Sequence, residues 1–102
     1  MDNKLKKFEL MEKITRELED LKNSQTAIVQ KIGKIEVDNI ELENKTLERI
    51  LPDVHQNVAD NLDKIAEILS SFEESKDDFG KKNNVDALRE QEAIREATEG
   101  AK

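Results

Sequence analysis

The sequence has no cysteine, tryptophan or tyrosine, and it contains one proline and three glycines. Without cysteine, the chain can have no disulfide framework, thiol nucleophile or cysteine-based metal site. Aromatic residues make up only 3% of the chain, whereas large aromatic side chains usually fill the centre of a compact domain. The apolar residues are mainly Ile, Leu and Val, which suit a narrow helical seam better than a round core.

Long apolar runs are also missing. No segment approaches the roughly 18 apolar residues that a membrane-spanning helix needs. The first ten residues, MDNKLKKFEL, lack the apolar stretch of a secretory signal. At 102 residues the chain forms one domain at most. We therefore expect a soluble cytoplasmic protein with no membrane span.

Charge is abundant and unevenly distributed. Charged residues make up 40% of the chain, and the net charge is −7. Residues 1–34 carry 8 basic and 6 acidic side chains, residues 35–72 carry 3 and 9, and the remainder carries 6 and 9. An acidic chain releases no counterions from phosphates, so we expect no direct nucleic-acid partner. A protein partner with a basic surface is favoured, unless the two halves of the chain complement each other.

Two apolar series recur every three and four residues, as in the seam of a coiled coil. The first is Met11, Ile14, Leu18, Leu21, Ile28, Ile32 and Ile35, with Gln25 as its polar member. The second is Val37, Ile40, Leu47, Leu51, Val54, Val58, Ile65, Ile68 and Phe72, with Asn44 and Asn61 as polar members. In coiled coils such polar residues select register and strand number, although they also occur where a helix faces solvent.

The two series are out of phase at Lys34–Asn44, KIEVDNIELEN. Ile35 and Ile40 would occupy the same heptad position, yet they are five residues apart rather than seven. The two missing residues, at about 100° each, move the apolar stripe by about 200° around a straight helix. A β-hairpin would have strands of only three residues, which is a marginal structure. A turn near Gly33–Asn39 is favoured over one continuous helix that changes the face it buries, because Gly, Asp and Asn weaken helices.

Three segments follow from these patterns: a first coiled-coil helix over 1–36, a second helix over 37–72 and a polar tail over 73–102. Pro52 removes a backbone hydrogen bond and should interrupt or kink the second helix. The segment EESKDDFGKKNN is typical of a loop, and VDALREQEAIREA predicts a short helix after Asn84. The expected fold is all-α, a coiled-coil hairpin or extended helices forming an oligomeric bundle, with a flexible C-terminal tail.

Candidate catalytic or metal-binding residues are few. His55 is the only histidine, and its spacing from Asp53 matches no known set of metal ligands. The three glycines form no phosphate-binding loop. General acid–base catalysis requires carboxylates in a pocket that excludes water, and a seam of Leu and Ile provides no such pocket. We therefore expect no enzyme activity, no cofactor and no metal.

The segment LEDLKNSQTAIVQKIGKIE, with NLDKIAEIL further on, resembles short coiled-coil proteins encoded by phages and mobile elements of Gram-positive bacteria. It is also similar to snapin-like subunits of organelle-biogenesis adaptor complexes, which carry Leu, Leu and Ser-Gln at positions matching Leu18, Leu21, Ser24 and Gln25. Each resemblance covers roughly residues 10–72 and implies a helical assembly subunit with no catalytic residue.

The sequence thus predicts a non-enzymatic oligomerisation or assembly subunit that acts as a homo-oligomer or hetero-oligomer. The expected interface residues are Met11, Ile14, Leu18, Leu21, Ile28, Ile32, Ile35, Ile40, Leu47, Leu51, Val54, Val58, Ile65, Ile68 and Phe72. The alternative is a small acidic inhibitor that covers a basic, nucleic-acid-handling surface of another protein. Its expected binding face comprises Glu36, Asp38, Glu41, Glu43, Glu48, Asp53, Asp60 and Asp63.

Overall fold

A computed structural model describes residues 3–100 of the chain. It contains three helices: α1 over Asn3–Leu42, α2 over Lys45–Lys82 and α3 over Val85–Gly100. The predicted all-α class is therefore confirmed. The extreme ends of the expected first helix and of the tail, residues 1–2 and 101–102, lie outside the described residues. None of the helices in the described part is long and apolar enough to cross a membrane.

The turn between α1 and α2 consists of Glu43 and Asn44, so the predicted turn near Gly33–Asn39 is wrong. Glu43 has a φ of 60°, and its N–H donates to the carbonyl of Asn39 at 2.7 Å, which ends α1. The Asn44 side chain accepts the Leu47 N–H at 3.0 Å and so caps α2. The buried Asn39 side chain accepts the Asn44 N–H at 2.9 Å and donates to the Asn44 carbonyl at 3.1 Å.

Two residues expected to weaken the helices lie within them. Gly33 is inside α1, where its helix propensity costs about 1 kcal/mol relative to Ala. Pro52 is inside α2, which continues on both sides of it, so of the predicted interruption or kink, the interruption does not occur. Tertiary packing of long helices outweighs such local preferences.

The region expected to be a polar tail is helical as well. α2 continues through the segment EESKDDFGKK, where a loop was expected, and ends at Lys82. α3 follows after a short turn in which Asn84 has a φ of 49°. This φ lies in the left-handed region that Asn tolerates better than most residues. Val85, the first residue of α3, is only 2% exposed, so the beginning of α3 is packed.

The chain divides into two compact units. The two-helix unit is Glu17–Ser70 and contains the antiparallel hairpin of α1 and α2 around the Glu43–Asn44 turn. The three-helix unit combines the chain up to Arg16 with the chain from Ser71 onwards. Among the described residues, few apolar side chains are buried in either unit: Ile32 and Leu69 in the two-helix unit, and Leu5 and Val85 in the three-helix unit.

The three-helix unit is built around aromatic contacts. The rings of Phe8 and Phe79 stack with centroids 6.4 Å apart. The guanidinium of Arg89, on α3, lies 5.0 Å from the Phe8 ring centroid and also binds the carboxylate of Glu12. A Cβ atom at Gly80 would approach Phe8 Cε1 to 2.9 Å, so the absence of a side chain at Gly80 allows the close approach of the ring.

Candidate protein-binding face

A row of apolar side chains on α1 is left uncovered in the two-helix unit. Leu21, Ile28, Ile35 and Leu42 follow one another at intervals of seven residues, and each is between 40% and 71% exposed. Residues seven apart lie almost on one line along a helix, because two turns contain about 7.2 residues. The exposed side chains therefore form a continuous apolar stripe. Single exposed apolar residues are ordinary, but a contiguous patch indicates an interaction site.

α2 carries a second row with the same interval, formed by Leu47, Val54, Asn61 and Ile68. Leu47 is half-buried and the other three are exposed, with Val54 at 38% and Ile68 at 52%. Together the α1 row and the α2 row are named the uncovered face of the two-helix unit. Its only polar member is Asn61.

The residues that α1 and α2 turn toward each other occupy neighbouring rows. On α1 these include the buried Ile32 and the half-buried Val29, and on α2 the half-buried Leu62 and the buried Leu69. Val29, Leu62 and Leu69 were not predicted as seam residues, although their spacing from neighbouring apolar positions is also three or four. Each helix has an apolar stripe wider than a two-row seam, which permits two choices of seam.

The predicted interface residues consequently differ in exposure. Ile32 alone is buried. Half-buried members are Met11, Leu18, Leu47, Leu51, Val58, Ile65 and Phe72. Exposed members are Ile14, Leu21, Ile28, Ile35, Ile40, Val54 and Ile68. In the three-helix unit, Leu5, Phe8, Phe79 and Val85 are buried or half-buried, although none of them is among the predicted interface residues.

The polar members of the predicted seams have different environments. Gln25 is half-buried on α1. Asn44 lies in the turn and caps α2, so its side chain has a structural role at the helix end. Asn61 is exposed, and its side chain makes no hydrogen bond with any other residue in the part of the chain that the structure describes.

The predicted acidic face is mostly solvent-exposed. Asp38, Glu41, Glu43, Glu48, Asp53, Asp60 and Asp63 are exposed, and Glu36 is half-buried. Glu48 pairs with Lys45 at 3.3 Å, and Asp60 accepts from the Gln56 amide at 2.8 Å. Glu36, Glu43 and Glu48 border a groove of about 490 Å³ beside the turn, whose apolar lining includes Val37, Ile40 and Pro52.

His55 is held by Glu36 across the hairpin. Its Nδ1 lies 2.5 Å from Glu36 Oε1, and because a carboxylate only accepts, Nδ1 is the donor. The two side chains are 39% and 31% exposed. No group of three or more His, Asp or Glu side chains within residues 3–100 is arranged to hold a metal ion. The pair connects α1 to α2 and fixes which residues lie side by side.

The chain matches no family model, no curated protein and no solved structure. The uncovered face and the groove beside the turn are therefore the features of the molecule that indicate a function.

Proposed function

We propose that this protein is a non-enzymatic helical oligomerisation or assembly module that associates through the uncovered face of Glu17–Ser70. The observation that carries the proposal is the α1 row, in which Leu21, Ile28, Ile35 and Leu42 recur every seven residues and remain at least 40% exposed. A seven-residue apolar repeat is the pattern by which helices pack on other helices. Within the hairpin, α1 already contacts α2 through different rows, so this row is available to another helix.

The size of the face supports association. From Leu21 to Leu42, α1 extends about 30 Å, and two adjacent helices are about 20 Å wide. The face therefore covers on the order of 600 Å², close to the roughly 800 Å² per partner of a standard interface. The hairpin also buries few apolar side chains of its own, and covering the face would remove further apolar surface from water.

Light scattering over a dilution series tests the proposal. We expect the mass of the protein to exceed that of one chain at micromolar concentration and to fall on dilution. Ile28→Glu should weaken association by about thirtyfold or more, because it places a carboxylate in the centre of an apolar interface. The matched control is Ala27→Glu, at the next residue on α1, which is exposed and points about 100° away from the face.

A wild-type protein that remains a folded monomer at micromolar concentration would overturn the proposal, as would equal effects of Ile28→Glu and Ala27→Glu. Circular dichroism of both variants shows whether the helices persist. Loss of association with unchanged helicity is the expected result for Ile28→Glu.

A second candidate function is the binding of a basic, amphipathic segment of another protein in the groove beside the turn. The groove combines an apolar lining with the carboxylates of Glu36, Glu43 and Glu48, and residues 35–72 carry 9 acidic against 3 basic side chains. A helical peptide of Leu and Lys is a suitable probe. Its affinity should fall with salt and with Glu43→Gln, but not with the control Glu74→Gln, which lies outside the groove. Equal affinities for the two variants would contradict this function.

A further inference from the structure

The two rows of the uncovered face lie on the same side of the hairpin. On α1, the side chains turned toward α2 are centred on the line of Val29 and Glu36, and the row of Ile28 is about 100° from that line. On α2, the inward line is that of Leu62 and Leu69, and the row of Asn61 is about 100° from it in the same rotational sense. Because the helices are antiparallel, equal rotations of this kind bring both rows to one side.

The pairing of α1 with α2 places Asn61 beside Ile28. His55 bonds to Glu36, and the turn lies at Glu43–Asn44. Two residues that lie side by side, one on α1 and one on α2, therefore have residue numbers that add up to about 90, and each such pair is called a level of the hairpin. The uncovered face then consists of four levels, which pair Leu42 with Leu47, Ile35 with Val54, Ile28 with Asn61 and Leu21 with Ile68. One amide side chain thus stands in an otherwise apolar surface, with its hydrogen-bonding groups unused within the described residues.

We propose that a second copy of this chain covers this face, that the two hairpins pack face to face and antiparallel about a two-fold axis, and that Asn61 of one copy pairs with Asn61 of the other. The inference rests on the proposed function and adds the partner, the orientation and the register. The product is a four-helix arrangement in which α1 lies on α1 and α2 lies on α2 of the second copy. The turns of the two hairpins are at opposite ends.

The chemistry of the amide favours this orientation. An Asn side chain has two N–H donors and a carbonyl acceptor, so two Asn side chains related by a two-fold axis can satisfy each other reciprocally. If instead the copies packed with both turns at the same end, Asn61 would face Ile28 of the second copy. The buried amide would then lose its hydrogen bonds to water without replacement, at a cost of about 1–3 kcal/mol.

The apolar levels on either side are compatible with the same axis. With Asn61 opposite Asn61, Leu21 lies opposite Ile35 of the second copy, and Ile68 lies opposite Val54 of the second copy. Every such pair is apolar. Three of the four levels are paired in this way, and the level of Leu42 and Leu47 extends beyond the face of the second copy. A single buried Asn pair among apolar levels also specifies register, because a shift of one heptad would place each Asn against an aliphatic side chain.

Single cysteine variants test the arrangement directly, because the natural chain has no cysteine. Asn61→Cys should form a disulfide-linked dimer on mild oxidation, since opposed positions bring the two Cβ atoms to about 4 Å. Val54→Cys is the matched control on the same row. When it is oxidised alone, it should form the disulfide-linked dimer at a rate at least about tenfold lower. An equimolar mixture of Val54→Cys and Ile68→Cys should form the mixed disulfide. These positions are exposed in the single chain, so the variants should fold.

The outcomes separate this inference from the function on which it rests. Rapid crosslinking of Asn61→Cys, together with the mixed Val54→Cys and Ile68→Cys product, supports the arrangement. Equal rates for Asn61→Cys and Val54→Cys, with association by light scattering intact, would overturn the arrangement and leave the oligomerisation module standing. Crosslinking of Val54→Cys with Ile35→Cys would also overturn it, because it indicates hairpins with their turns at the same end. A monomeric wild-type protein would remove both proposals.

Discussion

The two units of this protein differ in how far they bury their apolar side chains. All three phenylalanines, Phe8, Phe72 and Phe79, lie in the three-helix unit, where Phe8 is stacked on one side and contacted by Arg89. The two-helix unit has no aromatic residue, and nine of the twelve large apolar side chains that are exposed in the described part belong to it. A third helix and large rings can close a small core, whereas two aliphatic helices leave a side uncovered.

Val85→Asp should have the largest effect, because it places a carboxylate where Val85 is 2% exposed. We expect a loss of about 4 kcal/mol in the free energy of unfolding of the three-helix unit, mainly from burying an unpaired charge. Amide hydrogen exchange measures this loss of stability, and the amides of α3 should lose their protection. The same substitution in the two-helix unit, Val37→Asp, should change stability by less than about 0.5 kcal/mol, because Val37 is 65% exposed. Similar losses at both positions would contradict the contrast between the units.

Asn39→Ala tests the turn of the two-helix unit. The substitution removes both hydrogen bonds between the Asn39 side chain and the backbone of Asn44, and the Asn44 carbonyl then keeps only the Glu48 N–H as its donor. We expect a loss of about 2 kcal/mol in urea unfolding. Asn23→Ala, at an exposed position on α1, is the control and should be close to neutral. An equally small effect at Asn39 would show that the turn holds without its amide.

Replacing glycine by alanine should stabilise the two-helix unit at Gly33 but not the three-helix unit at Gly80. Gly33 lies inside α1 with nothing within 4 Å of a Cβ, so Gly33→Ala should raise the free energy of unfolding by about 0.5–1 kcal/mol. A Cβ at Gly80 would meet the Phe8 ring at 2.9 Å, so Gly80→Ala should displace the ring and cancel or reverse that gain. Thermal unfolding of the two variants provides the comparison, and stabilisation of equal size at both sites would exclude tight packing at Phe8.

The smallest effect is expected from the ion pair of Lys45 and Glu48 at the start of α2. Both side chains are more than 60% exposed, so solvent and salt screen their attraction. Lys45→Ala should change stability by no more than about 0.5 kcal/mol. A double-mutant cycle with Glu48→Ala measures the coupling, and a coupling well above this value would assign the pair a structural role at the turn.

The helical class could be predicted from sequence because the apolar spacing is regular over many turns, and this signal is additive along a helix. The position of the turn could not. Gly33 and the phase shift between Ile35 and Ile40 are local signals, whereas the actual turn depends on the Asn39 side chain reaching the backbone of Asn44. That contact exists only once α1 has continued through Gly33 and the chain has reversed.

For the uncovered face, too, one part could be predicted from the sequence and another part depended on the tertiary structure. The sequence by itself determined that α1 carries apolar residues every seven positions and that Asn61 interrupts a similar row on α2, because these are properties of spacing alone. Only the tertiary structure decided which rows face inward. On each helix, apolar residues occur in more than one adjacent row, neighbouring rows lie about 50° apart, and apolar residues in all of them satisfy a spacing of three and four. Pairing Val29 and Ile32 with the row of Leu62 and Leu69 leaves Ile28 and Asn61 outside, since one helix cannot turn all its rows toward a single neighbour.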